Sequence, residues 1–236
     1  METEKGDMIK LNYTGRIKDS GEIFDTTYEE VAEEEGIKQE DQEFGPRTII
    51  IGSGHVVEGL DKFLEERGSD ENEVSITAEE GFGERKSKLL KTFSLGKFED
   101  QDINPFPGMR LQVNGAWGTV RSVSSGRVRM DFNHPLAGKD LEYEIELVEK
   151  IEDPEDQVEE LIDKNFDEEL DYEFDSEEKE LEITSELDQE DLKRLQVLKE
   201  DLSELGIELK DEGTDPEVDI EGLKDELESQ AEDPDE

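Results

Sequence analysis

The sequence predicts an α+β protein in three parts, and three observations carry that expectation. Apolar and polar residues alternate with period two over residues 9–17 and again over 141–147. A helix-spaced apolar set lies between these runs, at Val57, Leu60, Phe63 and Leu64. Residues 86–133 form a block of short apolar runs punctuated by Gly and Pro, all β in character and different in charge from what surrounds it. Past residue 152, helix and strand patterns alternate over a short stretch, predicting a small α+β unit.

In the first run Ile9, Leu11, Tyr13, Gly15 and Ile17 face one way and Lys10, Asn12, Thr14, Arg16 and Lys18 the other. A turn at Asp19-Ser20-Gly21 returns the chain into Ile23-Phe24-Asp25. Residues 26–46 read as a polar loop with a helical turn near 28–35. The apolar run Thr48-Ile49-Ile50-Ile51 then closes on Gly52-Ser53-Gly54. Gly68 is placed to end the helix that follows. Val74 and Ile76 point inward from a further strand, ahead of Glu80-Gly81-Phe82-Gly83-Glu84. In the last strand of this part, Leu141, Tyr143, Ile145 and Leu147 alternate with Glu142, Glu144 and Glu146.

The inserted block carries Asn114-Gly115 and Ser125-Gly126, both hairpin-type turn signals. After it, Asp153-Pro154 reads as an N-cap and first-position proline before a helix marked by Val158, Leu161 and Ile162. Leu170, Tyr172 and Phe174 with Leu181 and Ile183 predict a hairpin. Leu192 to Leu205 predict a second helix ending at Gly206, and Ile207 and Leu209 a third strand. From about Glu212 the composition is that of an acidic tail, with a helix near residues 220–227.

Charge separates the same regions. The chain holds 71 acidic and 26 basic residues, a net charge of −45. Residues 86–133 hold 8 basic and 4 acidic residues, a local +4, whereas residues 152–236 hold 7 and 38, a local −31; the remainder carries −18. Acidity spread through most of the chain fits a salt-rich cytosol, because screening relieves self-repulsion. It argues against binding nucleic acid through phosphates. The absence of Cys excludes disulfides and thiolate chemistry. The amino end lacks an apolar leader pattern and no run reaches membrane-span length, so a cytoplasmic location and no membrane partner are expected.

Tyr13 on its strand, Phe24-Asp25 after the first turn, Val56-Val57-Glu58-Gly59-Leu60 entering a helix, Gly81-Phe82-Gly83 and Tyr143 form a sparse set. Together they resemble the FKBP-type peptidyl-prolyl isomerases over about residues 4–150. The block before Asn133-His134-Pro135-Leu136-Ala137-Gly138 looks like the insert-in-flap domain of the SlyD-like subgroup, in an archaeal long form of halophilic composition. The resemblance implies an FKBP-like antiparallel half-barrel around one helix, in residues 1–85 and 134–151. The flap would occupy 86–133, a C-terminal accessory domain 152–211 and the acidic tail 212–236.

Rotating an X-Pro bond costs about 18–20 kcal/mol because amide resonance must be broken. An apolar, water-poor pocket disfavours the charge-separated planar form relative to the twisted transition state. Removing about 4 kcal/mol gives roughly a thousandfold acceleration, with no nucleophile, metal or cofactor. Carried over by position, the catalytic pocket would be walled by Tyr13, Phe24, Val56, Val57, Leu60, Phe82 and Tyr143, with Asp25 its polar group. The Val57 N–H would hold the carbonyl preceding the proline. Leu60 stands where many relatives carry tryptophan, and Phe82 replaces the common tyrosine, removing one phenol donor.

The flap residues Phe93, Phe98, Phe106, Met109, Val120 and Met130 are the expected client-binding surface for unfolded or proline-containing polypeptides. The local positive charge suggests a flap that steers acidic clients, with Arg121, Arg127 and Arg129 as the basic groups. The histidines are His55 and His134, with no ligand partner at recognisable spacing, so no metal site is expected. The C-terminal part resembles an accessory domain of longer family members, which suggests homodimerisation or docking. The rival reading is a chaperone or acidic binding scaffold with a vestigial isomerase pocket, kept alive by Leu60 and Phe82.

Overall fold

The computed structural model describes residues 2–40, 42–67, 72–166, 170–185 and 187–210. The helix end expected at Gly68, the helix near 220–227 and the acidic tail from 212 lie outside the described residues. The chain divides between Glu152 and Asp153 into two compact units.

The first unit is built on two long strands, β1 (Met8–Ile17) and β9 (Leu141–Ile151), paired antiparallel from Met8↔Ile151 to Ile17↔Leu141. A bulge shifts the register between Lys10, opposite Glu149, and Leu11, opposite Leu147. On the other edge of β1 run β3 (Arg47–Ile50), beside residues 8–11, and β2 (Ile23–Thr26), beside residues 14–16. Strand β4 (Glu73–Ile76) closes the far side along β9. Between β2 and β3 lies the short helix α1 (Glu29–Glu34).

Helix α2 (Glu58–Arg67) lies against this sheet. Its Leu60, Phe63 and Leu64 are buried with Ile9, Leu11, Ile49, Ile76, Leu141 and Ile145. Its close seat depends on Gly59, where a Cβ would come 2.5 Å from Ile76 Cγ2. The alternating pattern of β9 works as its sequence requires: Leu141, Tyr143 and Ile145 are buried while Glu142, Glu144 and Glu146 stay out of the core.

Between β4 and β9 the chain makes a separate antiparallel sheet in the order β5-β8-β7-β6. Its strands are β5 (Leu90–Ser94), β6 (Arg110–Val113), β7 (Ala116–Ser124) and β8 (Arg127–Asp131), with a one-turn helix α3 (Gly96–Glu99) after β5. The turns β6–β7 and β7–β8 have two successive positive φ angles, 51° and 76° at Asn114-Gly115 and 50° and 70° at Ser125-Gly126. That is the conformation whose twist matches paired strands. The core of this sheet is Phe98, Val120, Val128 and Met130.

Two chain crossings tie the inserted sheet to the first. The Asn133 side chain accepts from the Lys86 N–H at 2.8 Å and donates to the Lys86 carbonyl at 3.2 Å. Buried Asp131 accepts from Arg121 Nε at 3.0 Å and also pairs with Arg85.

The second unit, over its described residues, contains α4 (Pro154–Asn165), β10 (Tyr172–Asp175), β11 (Glu180–Ile183), α5 (Gln189–Glu204) and β12 (Glu208–Lys210). Asp153 caps α4 by accepting from the Glu155 N–H, and Asp188 with Asp191 forms a capping box on α5. The sheet order is β10-β11-β12, antiparallel then parallel. Val158, Leu161, Leu181, Leu198 and Leu202 are fully buried, and Lys164 pairs with buried Asp201 at 3.1 Å.

Candidate functional site

The second half of β1 carries Tyr13 to the open end of the sheet, and β2 brings Phe24 and Asp25 beside it. Three threonines and an asparagine hold these strands in register. Thr27 Oγ1 accepts from the Tyr13 N–H at 3.0 Å and donates to Asn12 Oδ1 at 3.0 Å, and the Thr14 and Thr26 hydroxyls meet at 2.9 Å. With the strands so placed, the Tyr13 hydroxyl donates to Asp25 Oδ2 at 2.7 Å. This bond gives the carboxylate a fixed direction within an otherwise apolar cup.

The cup is aromatic. Tyr143 packs edge-on to Tyr13 at 5.9 Å and to Phe24 at 5.8 Å, and Phe24 packs edge-on to Phe82 at 6.3 Å. Gly15 makes the convergence possible, since a Cβ there would lie 2.7 Å from the Phe24 ring and 3.0 Å from Tyr143. Leu60, buried at 1% exposure, belongs to the same hydrophobic cluster, and Val56 and Val57 pack against it from the approach to α2. Burial, and then the hydrogen bond to Asp25, raises the Tyr13 pKa well above the ordinary phenol range; burial and then the Asp25 charge do the same for Tyr143. At neutral pH both rings are uncharged.

The segment before α2 is held by groups that the sequence reading passed over. Asp61, 8% exposed, accepts from the Gly52 N–H at 3.0 Å and the Gly54 N–H at 3.1 Å. His55 Nδ1 accepts from the Ile50 N–H at 3.1 Å, and the Val57 carbonyl accepts from Leu60 and Asp61 N–H groups. The signal for Asp61 was a carboxylate in the first turn of a helix preceded by Gly-x-Gly, which places backbone donors within its reach. Tyr28, on the outer side, donates to Glu146 at 2.8 Å; its pKa is pushed up to about 12 by burial and then by that bond.

All eight predicted pocket residues, Tyr13, Phe24, Asp25, Val56, Val57, Leu60, Phe82 and Tyr143, thus stand in one cluster. The predicted flap set does not stand together on one surface. Phe98, Val120 and Met130 are buried in the flap's own core, because a sheet of this size needs them to close it. Phe93 and Met109 are half-buried against that core, and Phe106 is 59% exposed. Trp117, absent from the prediction, is 58% exposed. A groove of about 420 Å³ runs along the flap between Thr92, Phe93, Ser94, Ser125, Gly126 and Arg127. Arg121, expected as a steering charge, is instead engaged with Asp131. Among the described residues no group of three or more His, Asp or Glu side chains converges as a metal cage.

A five-stranded antiparallel sheet packed on one helix, with a Tyr–Asp bond among aromatic rings and a second sheet inserted before the last strand, is compatible with an FKBP-like fold. Comparison with known proteins agrees. The family model described as "FKBP26, IF domain" matches residues 94–136. The chain is 33% identical over 145 residues to the short-type peptidyl-prolyl cis-trans isomerase of Methanocaldococcus jannaschii, covering 61% of this chain and 91% of that relative. It is 28% identical over 109 residues to the FKBP-type 16 kDa peptidyl-prolyl cis-trans isomerase of Escherichia coli, covering 44% of this chain and 73% of the relative. It is also 28% identical over 107 residues to the FKBP-type peptidyl-prolyl cis-trans isomerase SlyD of Helicobacter pylori, covering 44% and 58%. The chain belongs to the FKBP-type peptidyl-prolyl cis-trans isomerase family.

Proposed function

We propose that this protein captures unfolded, proline-containing polypeptides on its flap and isomerises their X-Pro bonds in the cup formed by Tyr13, Phe24, Val56, Val57, Leu60, Phe82 and Tyr143. The observation that carries the reading is the cup itself: four aromatic rings around a single oriented carboxylate, with Leu60 in the same cluster and an N–H-bearing loop held rigid by Asp61. Catalysis there is non-covalent. Transfer of the prolyl amide into the cup removes the water that stabilises its charge-separated planar form, and the preset walls cost no reorganisation. The Val57 N–H orients the preceding carbonyl, and the Asp25 carboxylate, held by Tyr13, faces the twisting amide.

Client capture rests on the exposed rings of Phe106 and Trp117 and on the flap groove beside Phe93. In domain terms the reading assigns residues 1–85 and 134–151 to isomerisation and 86–133 to capture. Residues 152–211 would serve self-association or docking, supported by the two open edge strands β10 and β12, ahead of a tail from 212. Among the described residues no helix is long and apolar enough to cross a membrane. A cytoplasmic site of action, without nucleic-acid or membrane partners, fits the anionic composition.

Refolding of a proline-limited model protein in high salt tests the scheme, using the full chain and a version lacking residues 86–133. The full chain is expected to accelerate refolding at catalytic amounts. The deletion should lose most of that effect yet still turn over a short X-Pro peptide. Failure of both proteins on the peptide rules out the pocket as an enzyme site and leaves a binding function.

A further inference from the structure

Phe82 is held in the cup by its neighbours rather than by its backbone. It lies between Gly81 and Gly83, in a turn where the Gly81 N–H donates to the Thr77 carbonyl at 2.9 Å and Gly83 takes a φ of 76°. A glycine on either side leaves the chain free to turn, so the place of the ring depends on what it touches. Phe24 meets it edge-on. Its second ring partner is the His134 imidazole, stacked with centroids 4.3 Å apart and planes within 10°. Phe82 is half-buried and His134 exposed, so the imidazole covers Phe82 from the solvent side.

His134 is itself fixed from both ends. Before it, the Asn133 side chain bonds both backbone groups of Lys86, and the Asn133 N–H and Nδ2 donate to Asp131 Oδ1 at 3.0 and 2.8 Å. Asp131 is buried and pairs with Arg85 and Arg121. After it, Pro135 brings a fixed φ. The Leu136 N–H then donates to His134 Nδ1 at 3.3 Å, and the Ala137 N–H to the His134 carbonyl at 3.0 Å. One residue on, the Gly138 N–H donates to the Gly83 carbonyl at 2.8 Å, beside Phe82. A ring contact and a backbone bond thus join the same two segments, 81–83 and 134–138.

We propose that His134 is a positioning residue for isomerisation: its imidazole, stacked on Phe82, keeps that ring in the cup and stops it turning out toward solvent. The inference rests on the isomerase reading of the cup and adds a residue that the family resemblance did not place in the pocket. His134 exchanges no proton in this role; it acts through Phe82. An imidazole suits the task, because one group supplies both a flat face and, at Nδ1, the acceptor that fixes the plane of that face.

Two substitutions separate the ring face from the turn bond. His134→Asn keeps an acceptor near the Nδ1 position and removes the ring, whereas His134→Phe keeps a ring face and removes the acceptor. Both are assayed in high salt on a short X-Pro peptide, and His134→Asn also in combination with Phe82→Ala. In His134→Asn, kcat/KM is expected to fall about two- to tenfold, the factor an aromatic pair supplies. His134→Phe should retain most of the turnover. In the Phe82→Ala background, already slowed, His134→Asn should cost nothing further, since the ring it acts through is gone. Turnover intact in His134→Asn, whatever His134→Phe does, makes His134 a turn residue and overturns the proposal. An equal loss from His134→Asn in both backgrounds overturns it too, and either result leaves the isomerase reading standing. Nuclear Overhauser contacts between the two rings in the unaltered protein are expected and need no variant to fold; their absence overturns the stack. No turnover by the unaltered protein overturns the isomerase reading, and the positioning role with it.

Discussion

Asp25 and Tyr13 illustrate how much one contact directs in an apolar cup. A lone carboxylate there would swing toward water, and the phenol at 2.7 Å turns it inward instead. Tyr13→Phe removes that bond, worth about 0.5–1.5 kcal/mol, while keeping the ring that packs on Tyr143. Peptide isomerisation should slow about two- to tenfold on that account, without loss of thermal stability beyond the same energy. Unchanged turnover would separate Asp25 orientation from catalysis. The phenols also set an alkaline limit. Tyr13, Tyr28 and Tyr143 hold their protons more tightly when folded than when unfolded. Their contribution to stability is therefore complete below about pH 10, the ordinary phenol value, and is lost as pH rises from there through the folded-state values. Urea midpoints followed above pH 9 should fall less steeply in Tyr13→Phe than in the unaltered protein.

Among the elements, the approach to α2 stands out because its backbone is held by a side chain of the helix it precedes. Asp61 sits one turn into α2 and reaches back to two backbone N–H groups, fixing residues 52–57 before any substrate arrives. Asp61→Asn keeps the shape but weakens the charge-assisted bonds. The expected outcome is faster amide exchange at Gly52 and Gly54 and a rise in KM larger than the fall in kcat, since the proposed function assigns the substrate carbonyl to the Val57 N–H on that loop. Slow exchange preserved at both glycines would show that the loop needs no such support. The long pair β1–β9 also does more than bury apolar residues. Its bulge at Lys10/Leu11 shifts the pairing by one residue, while Tyr13 and Tyr143 remain on one face beyond it.

For the whole molecule, charge is the dominant constraint. A net charge of −45 on 236 residues produces self-repulsion that only salt can relieve. Folding is expected to fail below about 0.1 M salt, where the Debye length exceeds about 10 Å and opposing carboxylates feel one another. Circular-dichroism melts across a salt series should show midpoints that climb steeply toward molar salt; a flat series would mean that local ion pairs already suffice. The pairs present are mostly exposed, as Arg16–Glu144 and Lys62–Glu58 are, and such pairs contribute little. Basic side chains are scarce, and several are tied up locally: Arg85 and Arg121 serve Asp131, and Lys38 serves Glu29 and Glu33.

Strand and helix assignments were legible wherever one face of an element is apolar. The alternation over 9–17 and 141–147 appears as β1 and β9, and the spacing of Leu192 to Leu205 as α5. The Asn-Gly and Ser-Gly pairs marked real hairpin turns, because a two-residue turn needs those φ angles whatever surrounds it. Pocket membership came from the family resemblance that short motifs along those elements carry, and the α+β class followed from the same periods. Local sequence could not rank the flap's apolar residues, since Val120 and Phe106 look alike until a sheet closes over one and leaves the other out. Nor could it find partners distant in the chain, as His134 is from Phe82 and Asp140 from Ala78. By itself, then, the sequence determined the elements, the turns and the charge, because periodicity, backbone conformation and composition act over a few residues, and its short motifs carried the family resemblance. Only the tertiary structure decided which apolar groups are surface, which charges are paired and which rings pack around Asp25, because those depend on contacts made across the whole chain.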